Sequence, residues 1–186
     1  MKISFIIFLC LALPSFTTPY NLAGNIYAVR KSLVIFHSNA PLELIRASSN
    51  KLRGLLDIEK RTFAFKIPVS SFHGFNSPLQ EVHFNENYME SEKYPDISFE
   101  GKIIEDYDLT QNGNYEIRAK GVLNVHGVDQ ERIIKTSLVI KDKQINAKSK
   151  FTVLLADHNI KIPKVVEEKL ASEIMVEVEA DFVPQN

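Results

Sequence analysis

Five histidines, His37, His73, His83, His126 and His158, are the side chains of this 186-residue sequence best suited to move a proton or hold a metal. No two of them stand four apart, the spacing that sets a pair on one helix face for zinc. His126 falls in a glycine-containing turn and His158 follows Asp157 in a loop, so both are expected at the surface. Ser70-Ser71 has no base at a recognisable spacing, and the sequence holds no Gly-x-Ser-x-Gly elbow. Only 7 glycines occur, with no phosphate-cradling run among them. Glu167-Glu168 lies among lysines, as on a solvated helix face. The expectation is therefore a protein that is not an enzyme, with no catalytic residue, no metal site and no resident cofactor.

The chemistry that does stand out is apolar. Residues 70–99 gather Phe72, Phe75, Phe84, Tyr88, Met89, Tyr94 and Phe99 in a stretch with little strand pattern. Amphipathic aromatics and a polarizable methionine at the mouth of a barrel would suit an adaptable apolar ligand. The same residues would serve equally as a plug sealing one end.

Such a segment needs a scaffold, and from about Asn25 onward the dominant periodicity is two, that of strands with one buried face. Tyr115, Ile117, Ala119, Gly121, Leu123 and Val125 share a face opposite Glu116, Arg118, Lys120 and Asn124. Ile134, Thr136, Leu138 and Ile140 repeat the pattern, as do Ile145, Ala147, Ser149, Phe151, Val153 and Leu155. Ile174, Val176, Val178, Ala180 and Phe182 form the last such set, and Phe63, Phe65, Ile67 and Val69 an earlier one. Shorter candidates lie at 33–37, 50–56 and 96–104. Turn chemistry at 57–60, 126–129 and 141–144 links neighbouring antiparallel strands, and Asn112-Gly113 is the strongest short hairpin signal. Ser77 as N-cap before Pro78 opens a short helix, and 163–170 is a second helical candidate. Eight or nine strands with one polar face predict an all-β, eight-stranded antiparallel barrel with one or two short helices. A two-sheet sandwich is the runner-up.

Bulk properties agree with one globular domain. Apolar residues at 45% and charged residues at 24% are ordinary, and a net charge of −1 gives no field to attract nucleic acid. Met1-Lys2, then an apolar run from Ile3 to Leu13, then Pro14-Ser15-Phe16-Thr17, describes a secretory signal over 1–17, with a second cleavage candidate ending at 23. Cys10 lies inside that run, so the mature chain is expected to lack cysteine. No later segment approaches the length of a membrane span.

Three ordered motifs carry a family resemblance. They are Ile67-Pro68-Val69-Ser70-Ser71-Phe72, then His83-Phe84-Asn85-Glu86-Asn87-Tyr88-Met89 with Lys93-Tyr94-Pro95-Asp96-Ile97-Ser98-Phe99, then Ala119 through Val128 with its Leu123-Asn124-Val125-His126-Gly127-Val128 ending. The sequence resembles the YceI-like family of exported polyisoprenoid-binding proteins with a lipocalin-like barrel, over residues 25–183. Asp129-Gln130, where members often carry Thr-Lys, and Phe84, where Leu is common, depart from the pattern.

The resemblance implies an extended eight-stranded barrel, a periplasmic location, and an isoprenoid ligand such as a quinone or polyprenyl phosphate. The ligand-binding residues expected on that basis are Phe63, Phe65, Ile67, Phe72, Phe75, His83, Tyr88, Phe99, Leu123, Leu138, Phe151 and Val178, with His83 and Tyr88 as polar contacts at the mouth. The alternative is a solid-core interaction module that recognises a protein through the Phe72 to Tyr94 loop. Oligomeric state is left open, a homodimer included.

Overall fold

The computed structural model describes residues 25–185, so the expected signal segment and Cys10 lie outside the described residues. Nine strands are β1 (Ile26–Asn39), β2 (Leu44–Ser49), β3 (Arg53–Asp57), β4 (Thr62–Pro68), β5 (Asp96–Ile103), β6 (Gly113–Val125), β7 (Val128–Lys141), β8 (Gln144–Leu154) and β9 (Glu173–Pro184). All pairings are antiparallel, in the order β2-β1-β3-β4-β5-β6-β7-β8-β9, and β1 also pairs with β9, which closes the sheet. One helix, α1 (Pro78–His83), follows the Ser77 cap and runs into a π-helical turn over Phe84–Tyr88. The second helical candidate forms only a 3-10 turn at Lys164–Val166. Pro163 precedes that turn, and the chain continues through a further turn to β9.

Although nine strands are present, the barrel has eight staves. β2 pairs with the end of β1 (Val34 opposite Ser49) and β3 with its start (Ala28 opposite Leu55), so the two share one line along β1. The interruption at 50–52 faces a bulge in β1, between Val29 and Lys31, in its pairing with β9. Each irregularity adds a residue and flips the side-chain parity. Tyr27 is buried before the bulge and Ser32, Val34 and Ser38 after it. In the partner line, Ala47 and Ser49 are buried before the break and Leu56 after it. The strand expected at 50–56 thus begins only at Arg53, and the one expected at 33–37 is part of a 14-residue strand.

The two ends of the barrel differ. At one end the connections are the turn 58–61, the two-residue turn Asp142-Lys143 and the loop 104–112. The Asn112-Gly113 pair does not make a tight hairpin. Gly113 instead opens β6 after that loop, and Asn112 accepts a hydrogen bond from the Asp142 backbone N–H at 3.2 Å. Leu109 from the loop is buried with Leu56, Ile58, Phe63, Ile117, Leu138, Ile140, Ile145 and Phe182, a packed core that seals this end. The opposite end receives both long connections, 69–95 and 155–172.

A candidate ligand chamber above the packed core

Between the sealed end and the long connections lies a chamber of about 400 Å³, a size suited to a small-molecule ligand. Inward positions of the staves form its wall, because alternation sends every second side chain inside. Phe63, Phe65 and Ile67 of β4, Phe99 of β5, Leu123 of β6, Leu138 of β7, Phe151 of β8 and Val178 of β9 all line it. Phe72 and Phe75 reach it from the long connection, His83 from the end of α1 and Tyr88 from the π-helical turn. All twelve residues expected at a ligand site therefore line the same chamber.

Two aromatic groups shape the space. The inner one joins Phe63 to Phe65 at 5.5 Å, Phe63 to Phe99 at 4.9 Å and Phe65 to Phe182 at 5.6 Å between ring centroids. The outer one surrounds Phe36, whose ring lies 5.5 Å from Phe72, 5.8 Å from Phe75 and 5.4 Å from Phe84. Phe72 and Met89 are buried in the outer packing, so the 69–95 segment both roofs the barrel and lines the chamber. Sequence reasoning missed Phe36 and Val34 as wall residues. The signal was present as Val34, Phe36, Ser38, but the bulge disconnects that alternation from the residues before it.

Polar and charged groups sit at the rim. Glu43, Gln80, His83 and Lys169 line the opening with Val166 and Leu170. Asn76 donates to the Leu44 carbonyl at 2.9 Å, Gln80 donates to Glu43, and the Leu42 N–H donates to the Glu168 carbonyl at 2.9 Å. The rim segments are thereby tied to one another. Lys66, also on the wall, turns its ammonium outward to Asp96 at 3.0 Å. The interior is packed in its inner part and open above, so the barrel is not solid from end to end.

Contrary to expectation, His126 and His158 are buried. His126 Nε2 lies 2.7 Å from a Glu90 carboxylate oxygen and Nδ1 3.1 Å from the His158 carbonyl. The Tyr94 ring meets His126 edge-on at 4.6 Å. Gly127 has φ of +70°, and a Cβ there would fall 2.3 Å from Tyr94. This cluster clips the end of the 69–95 connection to the β6–β7 turn. A turn position looks exposed in sequence; the two long connections folding over it bury it.

Burial also acts on the ionisation of His158. Its Nδ1 lies 3.1 Å from the Val128 carbonyl, and its Nε2 is buried without a partner among the described residues. Burial pushes this imidazole below its ordinary value of 6.5, against the backbone carbonyls that favour the charged ring. The unfolded chain then binds the extra proton more readily than the folded one, so stability is full above pH 6.5 and falls as pH drops below it. The melting temperature is expected to decline as pH falls below 6.5, and His158→Asn to flatten that decline. Glu177 and Glu179, held below the usual carboxylate range by hydrogen bonds from Lys150 and Lys148, lose their contribution only at lower pH. A thermal melt series on both proteins measures the difference.

An antiparallel eight-stave barrel with an apolar chamber under a long roofing connection is a lipocalin-like barrel. The YceI-like domain model matches residues 29–182, and the chain belongs to that family. Among solved structures, a polyisoprenoid-binding domain from Saccharophagus degradans implicated in plant cell wall breakdown aligns with a TM-score of 0.73 and 13% identity, covering 88% of this chain and 99% of that one. Burkholderia cenocepacia BcnA aligns at 0.66 with 14% identity over 81% of this chain and 95% of its own. A Campylobacter jejuni YceI protein aligns at 0.57 with 14% identity over 70% and 80%. At such identities the likeness is one of fold. A search of curated protein sequences finds no match.

Proposed function

We propose that this protein binds an isoprenoid or other long-chain lipid-like molecule in the chamber and carries it through the periplasm, without acting as an enzyme. The observation that carries this reading is the chamber itself, about 400 Å³ and walled by aromatic and aliphatic side chains. Hiding apolar ligand surface there stabilises the complex by about 25 cal/mol per Å². Membership of the YceI-like family and the fold shared with a domain named as polyisoprenoid-binding support the same ligand class.

Binding rather than turnover fits the placement of the polar groups. Glu43, His83 and Lys169 stand at the rim, and Lys66 faces outward. Reactive side chains thus sit away from the deep wall, where a lipid tail would lie. The periplasmic setting is supported by the charged start and apolar run of residues 1–17. No helix of the described residues is long and apolar enough to cross a membrane.

Protein produced with its N-terminal segment intact is expected to carry extractable lipid. Organic extraction followed by mass spectrometry should return one dominant isoprenoid class. Protein that is folded, natively exported and free of lipid would remove the carrier reading.

A further inference from the structure

Low on the chamber wall, two hydroxyls are left with one proton to give. Thr136 of β7 and Ser149 of β8 are cross-strand partners, and their oxygens lie 2.7 Å apart. Both line the chamber. They stand one pleat above Leu138 and Ala147, where the packed inner core begins. Two hydroxyls carry two O–H donors, and the bond between them consumes one. Among the described residues neither has a further partner.

Another hydroxyl pair in the same barrel behaves differently. Ser71 donates to the Pro68 carbonyl at 2.6 Å, so Ser49 spends its proton on Ser71, 2.6 Å away, and accepts from the Lys51 N–H. That pair is complete.

A further unpartnered hydroxyl lies near Thr136 and Ser149, behind the chamber lining. Ser149 faces Val178, and Val178 faces Val34 on β1. One pleat deeper on β1, the Ser32 hydroxyl is buried with no partner. Buried polar groups are almost always paired, so an unspent donor on a ligand-chamber wall points to an acceptor supplied from outside the chain. The opposite wall is not polar. Four staves away, β4 presents Phe63 and Phe65. The charged residues of the chamber are at the rim or turned outward, so an ionised head group would find no counter-charge at this depth.

We infer that the Thr136–Ser149 pair is a binding site for an uncharged hydrogen-bond acceptor, a carbonyl or ether oxygen, and that the ligand lies with this oxygen inward and its apolar chain running to the rim. The inference rests on the carrier reading and deepens it, naming both the head-group class and the direction of entry. A phosphorylated lipid would instead keep its phosphate at the rim, near Lys169.

Equilibrium binding of farnesylacetone, an isoprenoid ketone, and of the hydrocarbon with the same skeleton but no oxygen tests this. Wild-type protein is expected to favour the ketone by about five-fold, the worth of one neutral hydrogen bond. Thr136→Val alone frees the Ser149 proton, so the informative variant is Thr136→Val with Ser149→Ala. It should bind both ligands alike, with the hydrocarbon held at least as tightly as by wild-type protein because no donor is left unpaired against it. Thr136→Ser keeps both hydroxyls and should keep the preference.

Equal binding of the two ligands by wild-type protein overturns the site and leaves the carrier reading standing. A preference that survives in the double variant overturns it too. Uptake of neither ligand by wild-type protein removes the carrier reading and the site together. The wild-type ratio alone can defeat the inference, so the test does not depend on the variant folding.

Discussion

Replacing Phe151 by aspartate is expected to weaken lipid uptake by at least about a hundred-fold while the barrel stays folded. Phe151 projects from β8, opposite Val176 of β9, and its half-buried ring lines the chamber. In the empty protein a carboxylate at this position stays hydrated by chamber water and costs little stability. An incoming apolar chain must strip that water and leave a charge against hydrocarbon, which is the expensive step. Phe151→Leu keeps an apolar wall and should bind within a few-fold of wild type, by a volume change the chamber absorbs. Ligand titration with a parallel thermal melt separates the cases. Unfolding of the aspartate variant would mean that Phe151 is core packing, and unchanged affinity would move the ligand elsewhere.

The largest effect on stability is expected at Gly121. This residue faces Gly101 across the β5–β6 ladder. A Cβ on Gly121 would lie 2.1 Å from the Glu100 carbonyl oxygen, and one on Gly101 2.1 Å from the Lys120 carbonyl oxygen. Both obstacles are backbone, so neither can rotate away. Gly121→Val should cost about 3 kcal/mol and lower the melting temperature by roughly 10 °C. A melting temperature within a degree or two of wild type would show that the two strands part without penalty. The position reads in sequence as one more member of an alternating inner face; its real constraint is how closely the two strands approach.

That difference runs through the whole molecule. Strands β6 to β9 were legible because each keeps one uninterrupted alternation, from Tyr115 to Phe182, with turns that suit their chemistry. His126-Gly127 and Asp142-Lys143 both take positive φ in two-residue hairpins. The Ser77 cap was legible for a similar reason, since its side chain accepts from the Gln80 N–H as a local rule predicts.

Other features were set by partners far away in sequence. The paired irregularities in β1 and in the β2–β3 line exist only relative to each other, so neither half-pattern could be read alone. Asn112-Gly113 met the local requirement for a tight turn, yet Leu109 has to reach the core, and that demands a longer loop. His126 and His158 looked solvated because the roof that covers them comes from 89–94 and 155–160. The wall residues of β4 to β9 were predictable from alternation plus aromatic content, whereas Val34 and Phe36 of β1 were not. The unspent hydroxyl proton was not, because it depends on which two strands become neighbours.

The seam between β1 and β9 also governs how the barrel assembles. Tyr27 faces Pro184 and His37 faces Met175, so the first strand waits for the last before the ring can join. Every other ladder links strands far closer along the chain, and β6–β7 and β7–β8 can zip as tight hairpins. Joining two termini carries the largest loop-closure entropy in the molecule, and topologies rich in such distant contacts fold slowly. Until that moment the sheet has two bare edges, a row of unpaired backbone groups on each that only the joining of β1 to β9 removes.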